Sequence, residues 1–324
     1  MKAFEIENER LTLCERPVPE CEKGHVLIEI KAAGVNRPDI FQRKGHYPSP
    51  PGVTDIPGLE VAGIVRESRH PNWSGGDRVC ALVPGGGYAE FVSANGDHCL
   101  SVPKNMSFEK AAAIPETFFT VWNNLYYRNT VKPCSTVLIH GGSSGIGTAA
   151  IQIVRVMGSV PYITAGNAEK CEACLSIGSR EAINYKEEDF VERIQDITDG
   201  RGVDVVLDIV GGEYIERNLS CLAAEGLHIS IAHLQGAKGT YPVRDVMLKR
   251  LTLTGSTLRA RPAKEKADIA AGIKENIWPK LESGDITPVI DCVFPFEDAM
   301  KAHAALEKGD HIGKIVLTHA GQSH

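Results

Sequence analysis

The chain has 324 residues, of which 43% are hydrophobic and 23% charged, which is an ordinary globular composition. A chain of this length is too long for one small core, so two domains are predicted. Its formal net charge of −6 provides no overall basic field, so nucleic acid is not an expected partner. Residues 1–10 are charged where a secretory signal needs an apolar run, and no segment approaches the roughly 20 apolar residues of a membrane span, so no membrane association is expected.

The first part of the chain has the pattern of a β-rich domain. Residues 1 to about 120 contain short apolar segments with mixed or alternating patterns, separated by turns: HVLIEIKAAGV, LEVAGIVRE, DRVCALV and YAEFVSA. Dense turn residues at 46–52 and 84–87 predict exposed loops, which commonly surround a substrate. From 111–125 the pattern lengthens to helical periodicity, which places a domain boundary near residue 120.

The middle of the chain alternates strands with helices. Strands are predicted at 136–140, 160–165, 182–185, 203–210, 226–232 and 251–257, with helical stretches separating the first four. This alternation predicts parallel βαβ units, and six such strands suffice for a doubly wound dinucleotide-binding sheet. A later helix (297–309) precedes a final strand, 314–319, which we expect to return to the first domain. The predicted domains are therefore 121–258 and the combination of 1–120 with 259–324.

A glycine-rich turn follows the first of these strands. In HGGSSGIGTAAIQ the dinucleotide-binding frame falls on Gly142, Ser144 and Gly147, with Gly145 and Ile146 between the last two. A strand, a tight turn and a helix start together aim backbone N–H groups and the positive end of a helix dipole at a pyrophosphate. Ser144 replaces the middle glycine, but it is small and its hydroxyl can add a hydrogen bond. We expect this turn to bind a dinucleotide.

The second strand of the sheet indicates which nicotinamide cofactor is bound. An NAD site usually has an acid about 20 residues beyond the glycines, on the ribose 2′-hydroxyl. Here the strand ends in Gly166 and Asn167, and the first acid, Glu169, is already inside the next predicted helix. Lys170 and Tyr185 are placed to contact a 2′-phosphate through a charge and a hydroxyl. NADPH is the expected cofactor.

Eight segments, taken in order, resemble the zinc-independent quinone oxidoreductases of the medium-chain dehydrogenase/reductase superfamily. They are GVNRPDI, GHYPSPPG, PGLEVAGIV, GGDRVCALVPGGGYAEF, AAAIPETFFTVWNNL, HGGSSGIGTAAIQ, INYKEEDF and HIGKIVL. Three of them, GHYPSPPG, HGGSSGIGTAAIQ and INYKEEDF, look most similar to the tumour-suppressor-inducible NADPH quinone oxidoreductase subgroup. The resemblance spans essentially the whole chain. It implies an α/β fold in which 1–120 and 259–324 form a GroES-like catalytic domain and 121–258 a Rossmann domain.

The residues that bind zinc in the alcohol dehydrogenases of this superfamily are replaced. Asn36 stands in place of the catalytic-domain cysteine and Leu59 in place of the histidine of GHE. Only Cys80 and Cys99 occur between residues 80 and 110, where those enzymes carry a cluster of four cysteines. Without thiolate or imidazole ligands there is no Lewis acid to polarise an alcohol. No metal is therefore expected, and zinc-dependent alcohol oxidation is disfavoured.

The glycine turn also looks like that of the short-chain dehydrogenases. Those enzymes place it near the N-terminus and use a YxxxK pair as catalytic acid. Here about 135 residues precede the turn, which is far from the start of the chain. None of the eight tyrosines has a lysine four positions on. The pattern does not fit that class.

The resemblance implies direct hydride transfer from the nicotinamide to a quinone or activated carbonyl acceptor. The matching positions place Asn36 and Tyr47 near nicotinamide and substrate, with Thr120 beside the nicotinamide, although a helix-start threonine explains Thr120 almost as well. The tyrosine hydroxyl would hydrogen-bond the acceptor oxygen as negative charge develops. Residues after the last two strands would cover the nicotinamide, mostly through backbone groups: Ile231, His233, Ser256 and Leu258.

Two other functions remain open. One is NADPH-dependent reduction of the double bond of an enal or enone, which needs the same hydride geometry. The other is a non-catalytic NADPH-binding role, structural or in RNA binding, which the acidic balance disfavours. The apolar segment LTLTGST predicts an edge strand, and relatives pair this region across a twofold axis, so a homodimer is expected. Nine scattered cysteines, an odd number, are typical of reduced thiols in the cytoplasm.

Overall fold

A computed structural model describes residues 1–128 and 130–319. The chain divides into two compact units. The first comprises Met1–Thr120 together with Arg259–His324, and the second Val121–Leu258. Among the described residues, no helix combines the length and the apolar character that crossing a bilayer requires.

The elements follow one another along the chain as short strands and helices. The strands are β1 (Lys2–Glu7), β2 (Arg10–Glu15), β3 (His25–Val35), β4 (Glu60–Ser68), β5 (Arg78–Leu82), β6 (Phe91–Asn95), β7 (Cys99–Ser101), β8 (Thr136–His140), β9 (Val160–Ala165), β10 (Glu181–Asn184), β11 (Val203–Asp208), β12 (Leu222–Ser230), β13 (Thr252–Gly255), β14 (Ile290–Pro295) and β15 (Lys314–Thr318). The helices are α1 (Arg37–Arg43), α2 (Phe108–Ala112), α3 (Pro115–Trp122), α4 (Gly145–Val156), α5 (Ala168–Ser176), α6 (Phe190–Ile197), α7 (Tyr214–Cys221), α8 (Val243–Lys249), α9 (Ala263–Asn276), α10 (Trp278–Ser283) and α11 (Ala299–Lys308).

The first unit is built on a mostly antiparallel sheet in the order β14-β15-β3-β4-β5-β7, with β6 also paired to β3. Strand β15 lies antiparallel to β3, with Ile315 opposite Val35, so the end of the chain returns to the first unit as the sequence predicted. β1 and β2 form a separate antiparallel hairpin. Side chains that alternate along β3, β4 and β5 fill the core of this unit together with α11.

The second unit is a six-stranded parallel sheet in the order β10-β9-β8-β11-β12-β13. The order reverses between β8 and β11, the topological switch point at which open α/β sheets bind ligands beyond the carboxyl ends of the strands. The apolar strands pack against α6 and α7 in a core that includes Leu138, Phe190 and Leu219. The predicted fold class, a β-rich domain combined with a doubly wound parallel sheet, is confirmed.

Some helical segments differ from the prediction. The continuous helix expected over 111–125 is divided into α2, α3 and a π-helix at Asn123–Tyr127. Pro115 begins α3, because proline disfavours helical backbone at the residue before it and is suited to a first helical turn. α9 was not predicted, because its sequence is mostly polar and its apolar periodicity is weak. Its buried apolar residues are Ile269, Ala270 and Ile273.

Candidate functional site

The glycine turn of the second unit lies between the end of β8 and the start of α4. Ser144 is the N-cap of α4, and its Oγ accepts a hydrogen bond of 3.0 Å from the Gly147 N–H. A Cβ on Gly147 would lie 2.4 Å from the carbonyl oxygens of Gly141 and Gly142, so this position excludes every larger residue. No described residue accepts from the N–H groups of Gly145 and Ile146. The turn therefore presents unpaired donors at a helix N-terminus, which suits a pyrophosphate.

The end of β9 lies beside the start of the segment that follows β10. The Tyr185 N–H donates to the Ala165 carbonyl at 3.1 Å, and a Cβ on Gly166 would lie 2.8 Å from the Tyr185 hydroxyl oxygen. Asn167 is the N-cap of α5, with its Oδ1 accepting from the Lys170 N–H at 2.9 Å. The structure thus brings the four predicted residues together, with the Asn167 oxygen committed to the helix. Glu169 is the acid in the first turn of α5.

Four further predicted residues follow the carboxyl ends of β12 and β13. The Ile231 N–H donates to the Asp208 carbonyl at 2.9 Å, His233 is exposed, and Leu258 is buried. The Ser256 hydroxyl donates to Asn124 Oδ1 at 2.8 Å and accepts from Asn123 Nδ2 at 3.1 Å. The Ser256 side chain is therefore committed to the π-helix.

A buried polar network lies below the glycine turn. His140 Nε2 lies 2.7 Å from Asn218 Oδ1, and His228 Nε2 lies 3.2 Å from Asp208 Oδ2. Burial lowers the pKa of His140 to about 4, so its ring is neutral near pH 7. Asp208 accepts from the Val210 N–H at 2.7 Å, and although burial opposes ionisation, these hydrogen bonds lower the pKa of Asp208. Asp208 therefore stabilises the turn that follows β11. Sequence reasoning did not single out the two histidines.

Tyr47 in the first unit lies on the proline-rich segment that follows α1. Its ring is half-buried, and no described residue hydrogen-bonds its hydroxyl. The Arg259 guanidinium carbon lies 5.3 Å from the ring centroid. Burial and the nearby Glu116 carboxyl raise the pKa of Tyr47, while Arg259 opposes the shift. The hydroxyl is a protonated donor without a partner in the part of the chain that the structure describes.

Asn36 belongs to a buried cluster with Glu60 and Lys314. Lys314 Nζ lies 2.5 Å from Glu60 Oε1 and 2.6 Å from Asn36 Oδ1, and Asn36 Nδ2 donates to Glu60 Oε1 at 2.8 Å. Both charged side chains are almost inaccessible. Each end of the Asn36 amide is thus held by a charged partner. Sequence reasoning missed Glu60 and Lys314, although a carboxylate and an ammonium in apolar strands were available as signals.

Two more carboxyl groups lie close to this cluster. Asp39 accepts from the Asn36 N–H at 2.8 Å and the Gly58 N–H at 3.2 Å, and the Glu116 N–H donates to Glu60 Oε2 at 2.9 Å. Burial raises the pKa of Asp39 to about 7 and, with the repulsion of Glu60, that of Glu116 to about 8. Asp39 and Glu116 therefore both gain or lose a proton near neutral pH, and both act electrostatically on Tyr47.

Thr120 lies inside α3, which runs from Pro115 to Trp122. It is half-buried and makes contacts of its own. The alternative of a helix-start threonine is therefore wrong, because the helix begins at Pro115, more than a full turn before Thr120.

The positions that hold zinc in alcohol dehydrogenases lie in the first unit. Asn36 has the charged partners described above, and Leu59 is buried with an exposed fraction of 3%. Over residues 1–128 and 130–319, no group of three or more histidine, cysteine or acidic side chains is arranged to hold a metal ion.

Comparison with known proteins places the chain in a family. Residues 22–104 match the alcohol dehydrogenase GroES-like domain and residues 177–317 the family described as zinc-binding dehydrogenase. A quinone oxidoreductase of Rattus norvegicus is 32% identical, with 93% of this chain and 91% of that protein covered. Quinone oxidoreductase 1 of Escherichia coli is 34% identical, with 91% of each covered.

Solved structures agree with this assignment. The quinone oxidoreductase of Thermus thermophilus, described with its NADPH complex, has a TM-score of 0.84 and 32% identity, with 98% of this chain and 100% of that chain covered. A CurK enoyl reductase has a TM-score of 0.86 and 26% identity, with 98% of each chain covered. The chain therefore belongs to the quinone oxidoreductase family of the medium-chain dehydrogenase/reductase superfamily.

Proposed function

We propose that the protein is an NADPH-dependent quinone reductase that transfers hydride without a metal. The observation that carries the proposal is the half-buried Tyr47 hydroxyl, a protonated donor with no partner among the described residues, in a chain whose relatives are quinone oxidoreductases. Such a donor suits an acceptor oxygen that gains negative charge during reduction. The balanced reaction converts NADPH, a proton and a quinone into NADP⁺ and a hydroquinone.

The second unit would hold the cofactor, whose nicotinamide supplies the hydride. The N–H groups of Gly145 and Ile146 would bind the pyrophosphate, on the turn shaped by Gly142, Ser144 and Gly147. Gly166 and Asn167 carry no charge that would repel a 2′-phosphate, and Lys170 and Tyr185 would bind it. Residues after β12 and β13 would cover the nicotinamide: Ile231, His233, Ser256 and Leu258. The commitment of the Ser256 side chain to the π-helix leaves its backbone for this role.

The first unit would hold the acceptor. Tyr47 would donate its hydroxyl hydrogen to the acceptor oxygen. Asn36 would not donate a hydrogen bond to the acceptor, because its amide is held by Glu60 and Lys314. Its role would be to fix the start of α1. Thr120 is the third proposed member. Hydride transfer leaves a hydroquinone anion, and the protons held by Glu116 and Asp39 would be available to neutralise it.

Steady-state kinetics test the proposal. Purified protein should oxidise NADPH in the presence of 1,4-benzoquinone or 9,10-phenanthrenequinone, prefer NADPH to NADH, and keep its rate after treatment with a chelator. Tyr47→Phe should lower kcat by about tenfold to a hundredfold. This loss is at or below the effect that removal of one hydrogen-bond donor to a developing anion usually has. Chelator-sensitive turnover, or an unchanged rate in Tyr47→Phe, would contradict it.

Reduction of an enal or enone is the second candidate. It is favoured by the likeness to an enoyl reductase, and the same donor would serve an enolate oxygen. An alkenal assayed beside the quinones separates the two activities, since turnover with the alkenal alone would select this candidate. Tight NADPH binding without turnover of any acceptor would instead select the non-catalytic role.

We also propose that the protein is a homodimer formed through the outer edge of β13. β13 is the edge strand of the parallel sheet, and an unpaired edge is a template for another strand. α8, which precedes β13 in the chain, carries exposed apolar side chains, with exposed fractions of 72% for Met247 and 63% for Leu248. A second copy of the chain would cover the strand edge and this apolar surface together, with the same patch on both partners.

A cytoplasmic location is proposed from the cysteines. The structure describes all nine as free thiols, six of them buried, which suits a reducing compartment. Cell fractionation with an antibody against the protein tests this, and recovery in an oxidising compartment would contradict it.

A further inference from the structure

Arg259 is held firmly in the first unit, where the segment after β13 leads towards α9. Its side chain has an exposed fraction of only 8%. Nε donates to the Pro84 carbonyl at 2.7 Å and Nη2 donates to Ser49 Oγ at 3.1 Å. Its own carbonyl accepts from Lys266 Nζ at 2.7 Å. Backbone and side chain are therefore both fixed.

The partners of Arg259 lie in the loops beside Tyr47. Ser49 is two positions after Tyr47 and also accepts from Gln42 Nε2 at 3.2 Å, which links the loop to α1. Pro84 begins the second glycine- and proline-rich loop of the unit. One guanidinium thus connects both turn-rich segments that the sequence predicted to border a substrate.

One nitrogen of Arg259 has no hydrogen-bond partner. Nη1 is buried and unpaired among the described residues, while the guanidinium carbon lies 5.3 Å from the Tyr47 ring centroid. A buried cation gains its compensation from the negative face of an aromatic ring, and such a contact strengthens as water is excluded. The Tyr47 ring therefore replaces part of the electrostatic stabilisation that water would otherwise give to the Arg259 guanidinium.

We propose that Arg259 is a positioning residue of the acceptor site, which holds the Tyr47 ring and its loop so that the hydroxyl is presented to the acceptor oxygen. This inference rests on the proposed role of Tyr47 as hydrogen-bond donor, and no role for Arg259 was expected from the sequence. Arg259 acts through Tyr47 and does not itself contact the reacting atoms.

The charges around Tyr47 make the contact measurable. The charges of Glu116, Arg259 and Asp39 act on the pKa of Tyr47, and of these only Arg259 favours the ionised form of the phenol. Removal of the guanidinium leaves two carboxyl groups whose influence is unopposed, so the pKa of Tyr47 should rise. An arginine that made no contact with Tyr47 would not shift this titration.

A double-mutant cycle tests the inference. Arg259→Met and Tyr47→Phe are made singly and together, with Arg259→Lys as the variant that keeps the charge. Arg261→Met is the matched control. Arg261 lies two positions after Arg259 in the chain, and its guanidinium pairs with Glu265. Arg259→Met should lower kcat for the quinone by about three- to thirtyfold, the range of a buried cation–π contact, with the KM for NADPH unchanged. In the Tyr47→Phe background the same substitution should have almost no effect.

Two readouts decide the outcome. Equal losses in both backgrounds, or no loss in either, would overturn the inference. Ultraviolet titration of the tyrosinate, with Tyr47→Phe as the subtraction reference, should show a higher Tyr47 pKa in Arg259→Met than in the native chain or Arg259→Lys. An unshifted Tyr47 titration also overturns it. This second readout needs no turnover, so it judges Arg259 even if quinone reduction, and with it the proposed function, fails.

Discussion

Lys314 Nζ lies 2.5 Å from Glu60 Oε1, and the two side chains have exposed fractions of 5% and 0%. The pair joins β15 to β4, and the ammonium also donates to Asn36 Oδ1. A buried ion pair is sensitive to the loss of one member, because the other is left charged and without compensation.

Lys314→Met should therefore lower the free energy of unfolding by about 3–5 kcal/mol, the usual effect of breaking a buried pair. The double variant Lys314→Met with Glu60→Leu should recover much of that loss, since neither member of the pair is then left charged without its partner. Urea unfolding midpoints compare the two. Lys308→Met, which removes an exposed partner of Asp310, is the control and should leave the midpoint unchanged. Equal destabilisation of the single and double variants would show that the charge is not the cause.

Gly147→Ala should raise the Kd for NADPH more than tenfold, which corresponds to a loss of more than about 1.4 kcal/mol of binding free energy. The added Cβ meets two carbonyl oxygens at 2.4 Å, so the turn and the start of α4 must move apart. Fluorescence titration with NADPH measures the effect. Gly75→Ala is the matched control, because its Cβ would meet only the Arg66 carbonyl oxygen, at 3.7 Å. Native affinity in Gly147→Ala would argue against this turn as the pyrophosphate site.

Lys170→Ala should raise the KM for NADPH by about tenfold or more, as expected for loss of a charge-assisted hydrogen bond to a phosphate. The KM for NADH should not change, because NADH lacks the 2′-phosphate, and it serves as the internal control. Tyr185→Phe should act in the same direction with a smaller effect. A parallel increase of both KM values would indicate a general disturbance of the second unit.

Glu116→Gln should change the pH dependence of stability. Because burial raises the pKa of Glu116 to about 8, the native chain keeps this proton at pH values where the unfolded chain has lost it. The contribution of Glu116 to stability therefore falls as pH rises from its ordinary range through about 8. Glu116→Gln should thus gain stability relative to the native chain between about pH 6 and pH 9 in urea unfolding. A constant difference would contradict this, and Glu282→Gln, on the surface, controls for the loss of a carboxylate.

Leu248→Asp should shift the proposed homodimer to monomer, because a charge would have to be buried within the apolar surface of α8. Sedimentation velocity at micromolar concentration measures the change. Leu175→Asp is the matched control, since Leu175 is an exposed leucine of α5 with an exposed fraction of 46%. A native chain that already sediments as a monomer would refute the dimer.

The second unit was the more predictable part from sequence, for a physical reason. Strands buried on both faces leave almost continuous apolar runs, as in β8 and β11, and a glycine turn is read directly from the chain. α9 escaped because a polar helix with few buried side chains has a weak periodic signal.

The charged network of the candidate site was less predictable. Lys314 and Glu60 are separated by 254 positions, and Arg259 meets Ser49 across 210. Local patterns carry no information about such pairing, whereas they did single out Tyr47, which lies in a turn-rich loop. A buried charge in an apolar strand is visible in sequence, but its partner becomes identifiable only when the strands are placed.

Because β15 pairs with β3, the two units can complete their folding only at different points during synthesis of the chain. The second unit is continuous, so all six strands of its sheet are available once residue 258 has been made. The first unit must wait for β14 and β15, because Ile315 lies opposite Val35. Until then β3 lacks the strand that completes one side, and long-range strand pairing of this kind is slow and prone to aggregation. A ribosome-bound chain is therefore expected to contain a folded second unit beside an unfinished first one, which is the form that a chaperone would meet.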